Sequence, residues 1–65
     1  MTLKTLLKQC IKELKVTAEI DEDTELLLWS HEDTLKVCKW LLENGCEFTI
    51  HCYDEEDTSI EVLEY

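Results

Sequence analysis

Asp21, Asp23, Glu25 and Glu32 have the spacing of positions 1, 3, 5 and 12 of a calcium loop, in which hard oxygen ligands close around one cation. The sixth position of such a loop makes a sharp turn that needs glycine, and here it is Leu26. The four residues therefore read better as an acidic turn. Cys38, Cys46, Cys52, His31 and His51 are zinc ligands by type. None forms a CxxC or HxxxH pair, and Cys46 and Cys52 would stand about 20 Å apart along one strand, too far for one tetrahedral site. His51 and Cys52 are adjacent, which in a strand sends base and nucleophile to opposite faces. The chain has no Gly-rich phosphate loop, no nucleophile elbow and no arginine. The expectation is a protein that is not an enzyme and holds no metal or cofactor.

Charge is the more informative property. Sixteen Asp and Glu against six Lys give a net charge of −10 over 65 residues. The basic part is confined to residues 1–15, with four Lys and one Glu. Binding to phosphate backbones needs Lys and Arg to displace counterions, so nucleic acid is a poor direct ligand. A surface of this sign attracts basic partners at long range, besides keeping the chain soluble.

The elements that position these groups follow from periodicity. Leu3, Leu6, Leu7, Cys10, Ile11 and Leu14 mark one stripe of a helix over 2–15, with Lys4, Lys8, Lys12 and Lys15 beside it. Residues 16–20 alternate as a strand, 21–24 turn, and 25–30 are an apolar run of strand length. Ser30 with Asp33 three residues later opens a second helix over 31–44, closed by Asn44-Gly45. Its expected inner arc is His31, Thr34, Leu35, Cys38, Leu41 and Leu42, with Trp40 off that arc. Residues 46–53 alternate, placing Cys46, Phe48, Ile50 and Cys52 on the core face. A second acidic turn, Asp54, Glu55, Glu56 and Asp57, leads into a strand over 58–64.

The order αββαββ predicts one α+β domain over 1–65, a two-layer sandwich with both helices on one face of a four-stranded antiparallel or mixed sheet. It is also what a ferredoxin-like βαββαβ fold becomes when its first strand moves to the end. That permutation implies the order β1-β2-β4-β3, which we expect with β2 and β4 central and parallel; a meander in the order 1-2-3-4 is the alternative. The hairpins repeat weakly at an offset of 34, matching Val16 to Ile50, Leu26 to Ile60 and Leu28 to Val62. All four cysteines fall on apolar faces and are expected as reduced core residues. With no export signal and no run of transmembrane length, a soluble, cytoplasmic protein is expected.

The outer sheet face is expected to carry Trp29, Tyr53, Tyr65, Leu27 and Leu63 within a rim of Glu19, Glu47 and Glu61. Aromatic anchors in a polar rim suit a protein interface. In size and charge, though in no alignable residue, the chain resembles small phage-encoded inhibitors, including anti-CRISPR and anti-restriction proteins that imitate DNA. That resemblance implies a basic nucleic-acid-binding protein as partner, met in the host cytoplasm. The expected contact residues are Asp21, Glu22, Asp23, Glu25, Trp29, Tyr53, Asp54, Glu55, Glu56, Asp57 and Tyr65. A homodimer or a regulatory subunit using the outer face is the alternative.

Overall fold

The computed structural model of the protein describes residues 2–22, 24–53 and 57–65. Helix α1 spans Leu3–Leu14. Thr2 caps it, its hydroxyl accepting from the Thr5 amide at 3.2 Å, and Lys15 closes it in the left-handed region, donating its amide to the Ile11 carbonyl at 2.9 Å. Strands β1 (Ala18–Asp21) and β2 (Glu25–Leu28) form a hairpin. Its turn is closed by the Thr24 amide donating to the Asp21 carbonyl at 3.2 Å, with Glu22 at a φ of 50°.

Helix α2 spans His31–Glu43. The Ser30 hydroxyl accepts from the Asp33 amide at 3.5 Å, and the Asp33 carboxylate accepts from the Thr17 amide at 3.4 Å, tying the helix start to the approach of β1. At the other end the Gly45 amide reaches the Leu42 carbonyl and the Cys46 amide reaches the Leu41 carbonyl. These two bonds make a Schellman motif, with Gly45 at the left-handed position (φ 71°) that it requires. Strands β3 (Glu47–Cys52) and β4 (Thr58–Glu64) complete the chain.

The sheet order is β1-β2-β4-β3, and every neighbouring pair is antiparallel. The order is the expected one, but β2 and β4 run antiparallel rather than parallel. The reason is geometric. The α2 crossover returns β3 in the direction of β2, and β4, antiparallel to β3, then enters between them. Leu26 lies directly opposite Ile60, and the Val62 amide bonds the Thr24 carbonyl just as Leu28 faces Thr58. A pseudo-twofold axis therefore passes between β2 and β4. The offset of 34 holds only for these central strands. Ile20 faces Leu26 and Ile50 faces Ile60, so the edge strands correspond as Ile20 to Ile50, not as Val16 to Ile50.

One core joins Leu7 and Cys10 of α1, Val37, Trp40 and Leu41 of α2, and Leu26, Leu28, Ile60 and Val62 of the sheet. Helix α2 is rotated from its expected setting. Val37 and Trp40 are buried, while His31, Leu35 and Leu42 are exposed and Cys38 is half-buried. The indole of Trp40 donates to the Glu13 carboxylate at 2.7 Å, which turns this side of α2 toward α1. Ile50 and Cys52 keep their expected face but are exposed, because the helix pair does not extend over the end of β3. Of the four cysteines, Cys10 and Cys46 are core residues, Cys38 is half-buried, and Cys52 is not in the core. Burial, with the nearby Glu13 carboxylate and Cys46 adding to it, pushes the Cys10 thiol up to about 12. Burial also raises Cys38 and Cys46. Among the described residues no helix is long and apolar enough to cross a membrane.

Candidate functional site

The outer face of the sheet is built from residues whose neighbours in sequence point into the core. Because directly opposed residues share a face, the register arranges them in rows. Asp21, Glu25, Glu61 and Thr49 form one row across all four strands, and Glu19, Leu27, Ser59 and His51 form the next. Three carboxylates thus stand on adjacent strands, about 4.8 Å from one to the next. Like charges directly opposite destabilise a sheet by some tenths of a kcal/mol per pair. Among the described residues, His51 Nε2 lies 3.9 Å from the Glu61 carboxylate.

Ser59 is fully buried although it belongs to this open face. Leu27 on one side and His51 on the other flank it, and its small side chain lies below theirs. Among the described residues its hydroxyl has no hydrogen-bond partner. Nothing in the sequence marked Ser59 as special, since strand alternation places it on the solvent side.

The described residues that flank the two acidic turns lie at opposite ends of the sheet, because β1 and β3 run in opposite directions. Asp21, Glu22 and Glu25 mark one end, near the end of β4 that carries Leu63 and Tyr65. Both of those residues line a hollow with Leu3 and Thr24. Asp57 marks the other end, where its carbonyl accepts from the Tyr53 amide at 2.9 Å. Trp29, which follows β2, is exposed at that same end, as is Tyr53. Expected contact residues Asp23, Asp54, Glu55 and Glu56 lie outside the described residues.

The aromatic groups are therefore divided. Along β4, Asp57 and Leu63 are six residues apart, about 20 Å. Trp29 and Tyr53 at one end and Tyr65 at the other are separated by the two polar rows, in place of the single platform expected from alternation. Among the described residues no three metal-ligating side chains converge. What this face offers is a strip of negative charge with an aromatic group at each end. Comparison of the chain with protein-family models, with curated proteins and with solved structures gives no match.

Proposed function

We propose that the protein is a small acidic inhibitor of the phage-encoded, DNA-mimicking kind, which occludes a basic nucleic-acid-binding surface on a larger protein. The row Asp21–Glu25–Glu61 carries this reading. It holds carboxylates at a regular spacing on adjacent strands, at a cost in stability that a merely solvated surface has no need to bear.

The charge density is of the required size. The molecule measures 32 Å along its longest axis, and duplex DNA carries about 19 phosphate charges over that length, at one per 1.7 Å. The chain has 16 carboxylates, offset by six lysines of which four precede residue 16. Net of those lysines the charge is −10, about half that of the same length of duplex and so of the same order. Trp29 and Tyr53 at one end, and Tyr65 at the other, would supply the desolvated contacts that slow dissociation.

Capture from a bacterial lysate on the immobilised protein, followed by elution with rising salt, isolates the partner. A duplex oligonucleotide should then displace the protein from it. The variant carrying Asp21→Lys and Glu25→Lys should associate at least tenfold more slowly with a flatter salt dependence, because steering falls away with screening. Tyr53→Ala or Tyr65→Ala should instead speed dissociation, by about tenfold for a loss near 1.4 kcal/mol. A partner bound with no dependence on salt, and not displaced by duplex, would remove the DNA-mimic reading.

A further inference from the structure

The β3 side of the molecule carries an unpartnered surface of a different character. β3 is an edge strand, and the Tyr53 amide bonds the carbonyl of Asp57, which directly precedes β4. Backbone groups alternate in direction along an antiparallel strand, so those of His51 and Thr49 also face β4. The amides and carbonyls of Phe48, Ile50 and Cys52 therefore point out from the free edge. Above them runs an apolar stripe of α2. Trp40 faces α1, and at 100° per residue Leu35, Cys38 and Leu42 stand about 140–160° away from it around the helix. Because α1 packs on β1 and α2 touches β3, that direction is toward the free edge. Leu35 is 70% exposed, Leu42 67% and Ile50 44%.

We propose that this side is a homodimer interface, in which β3 pairs antiparallel with β3 of a second copy about a twofold axis at Thr49. The strand is complementary to itself in that register. Phe48 meets the second copy's Ile50, with their outward backbone groups in hydrogen-bonding positions, and Glu47 meets the second copy's His51. The axis is normal to the sheet, so it makes one eight-stranded sheet with all four helices on the same face. The two α2 helices then flank the junction antiparallel, and their stripes of Leu35, Cys38 and Leu42 close over Ile50. A single contact thus covers the backbone edge and the apolar stripe together. A foreign strand would satisfy the backbone edge alone.

The contact is modest in size. An edge about 20 Å long and 20 Å tall buries on the order of 800 Å² in total, below the standard size of stable interfaces and in the range of weak, transient ones. A micromolar dimer is the expectation. Two copies of net charge −10 also repel, so screening favours the dimer. This inference stands apart from the proposed function, because salt acts in opposite directions on the two. Salt should strengthen association between copies and weaken binding to a basic partner.

Sedimentation of the wild-type chain tests it without mutation. The mass should rise from 7.7 kDa toward twice that value at micromolar concentration, and the dissociation constant should fall at least fivefold between 20 mM and 500 mM salt. Ile50→Lys or Leu42→Lys should weaken the dimer at least tenfold, whereas Leu63→Lys, also an exposed apolar position but on the outer face, should leave it unchanged. In a background of Cys38→Ser and Cys52→Ser, oxidation should cross-link Thr49→Cys across the axis. A non-hydrogen-bonded pair brings its Cα atoms to about 4.5 Å, within disulfide reach. Glu19→Cys, the equivalent position on β1, should stay monomeric. A chain that remains at 7.7 kDa at every salt and at millimolar concentration would overturn the proposal. Equal cross-linking at residues 19 and 49 would do so too.

Discussion

The pseudo-twofold axis between β2 and β4 makes β1 and β3 equivalent edges, but the two are finished differently. β1 has four residues, and Glu19 and Asp21 stand on its outer face. Helix α1 covers its inner face, leaving Ile20 half-buried. β3 has six residues, and Thr49 and His51 occupy the positions equivalent to Glu19 and Asp21. Its Ile50 is exposed, because α2 is turned toward α1 by the bond from Trp40 to Glu13. A short edge with two carboxylates resists pairing, and a longer one with Glu47 alone at its start invites it. The difference teaches that topology offers both edges alike, while side chains and the roll of one helix decide which is open.

Removing the device that sets the roll should have the largest effect. Trp40→Ala is expected to cost about 3–5 kcal/mol, and for a chain of this size that approaches the whole stability. Loss of the cooperative denaturant transition at 25 °C would show it. Trp40→Phe keeps most of the packing and loses only the bond to Glu13, for about 1 kcal/mol. Two thiols, one in the core and one exposed on β3, differ next. Cys10, fully buried in the core, titrates at about 12 when folded and near 9.0 when unfolded. The unfolded chain therefore loses its proton first, so stability is complete below pH 9 and falls as pH rises toward 12. The slope should be up to about 1.4 kcal/mol per pH unit, and Cys10→Ala should flatten it in urea titrations at successive pH values. Cys52 on the β3 side is exposed, and alkylation of the native chain should reach it long before Cys10.

Smaller effects test the central strands and the acidic row. Ser59→Ala removes a buried hydroxyl without a partner among the described residues and should raise the denaturation midpoint, by up to about 1 kcal/mol in stability. Glu25→Gln relieves two opposed carboxylates, Asp21 and Glu61, and should gain a few tenths of a kcal/mol at low salt, less at high salt. The matching change on the β3 side, Thr49→Gln, should give no such salt-dependent gain.

The sequence made the elements and their order legible because each rests on local chemistry. Ser30 caps α2, Gly45 supplies its left-handed end, and strict alternation in 46–53 marks a strand with one core face. The roll of α2 was not legible. Its apolar residues cover two overlapping arcs, one through Leu35 and Leu42 and one through Val37 and Trp40, and only the partner at Glu13 on another helix decides between them. Alternation likewise gave Ile50 its face but not its cover, since coverage depends on how far the helix pair reaches across the sheet. The direction of β2 against β4 needed the crossover and the hairpin to be followed together. In the candidate site, the carboxylates were legible by type. Their alignment into one row depends on register, and the division of the aromatic groups depends on which end of the sheet each strand terminates.

Amide hydrogen exchange at two protein concentrations compares the edges most directly. By the same alternation, the amides of Phe48, Ile50 and Cys52 point out from β3 and those of Ala18 and Ile20 point out from β1. On raising the concentration from well below to well above the dissociation constant in 500 mM salt, exchange at Phe48 and Ile50 should slow by at least tenfold, with Ala18 and Ile20 unchanged. Equal exchange at both edges, with no dependence on concentration, would contradict the claim that β3 is the open side of this molecule.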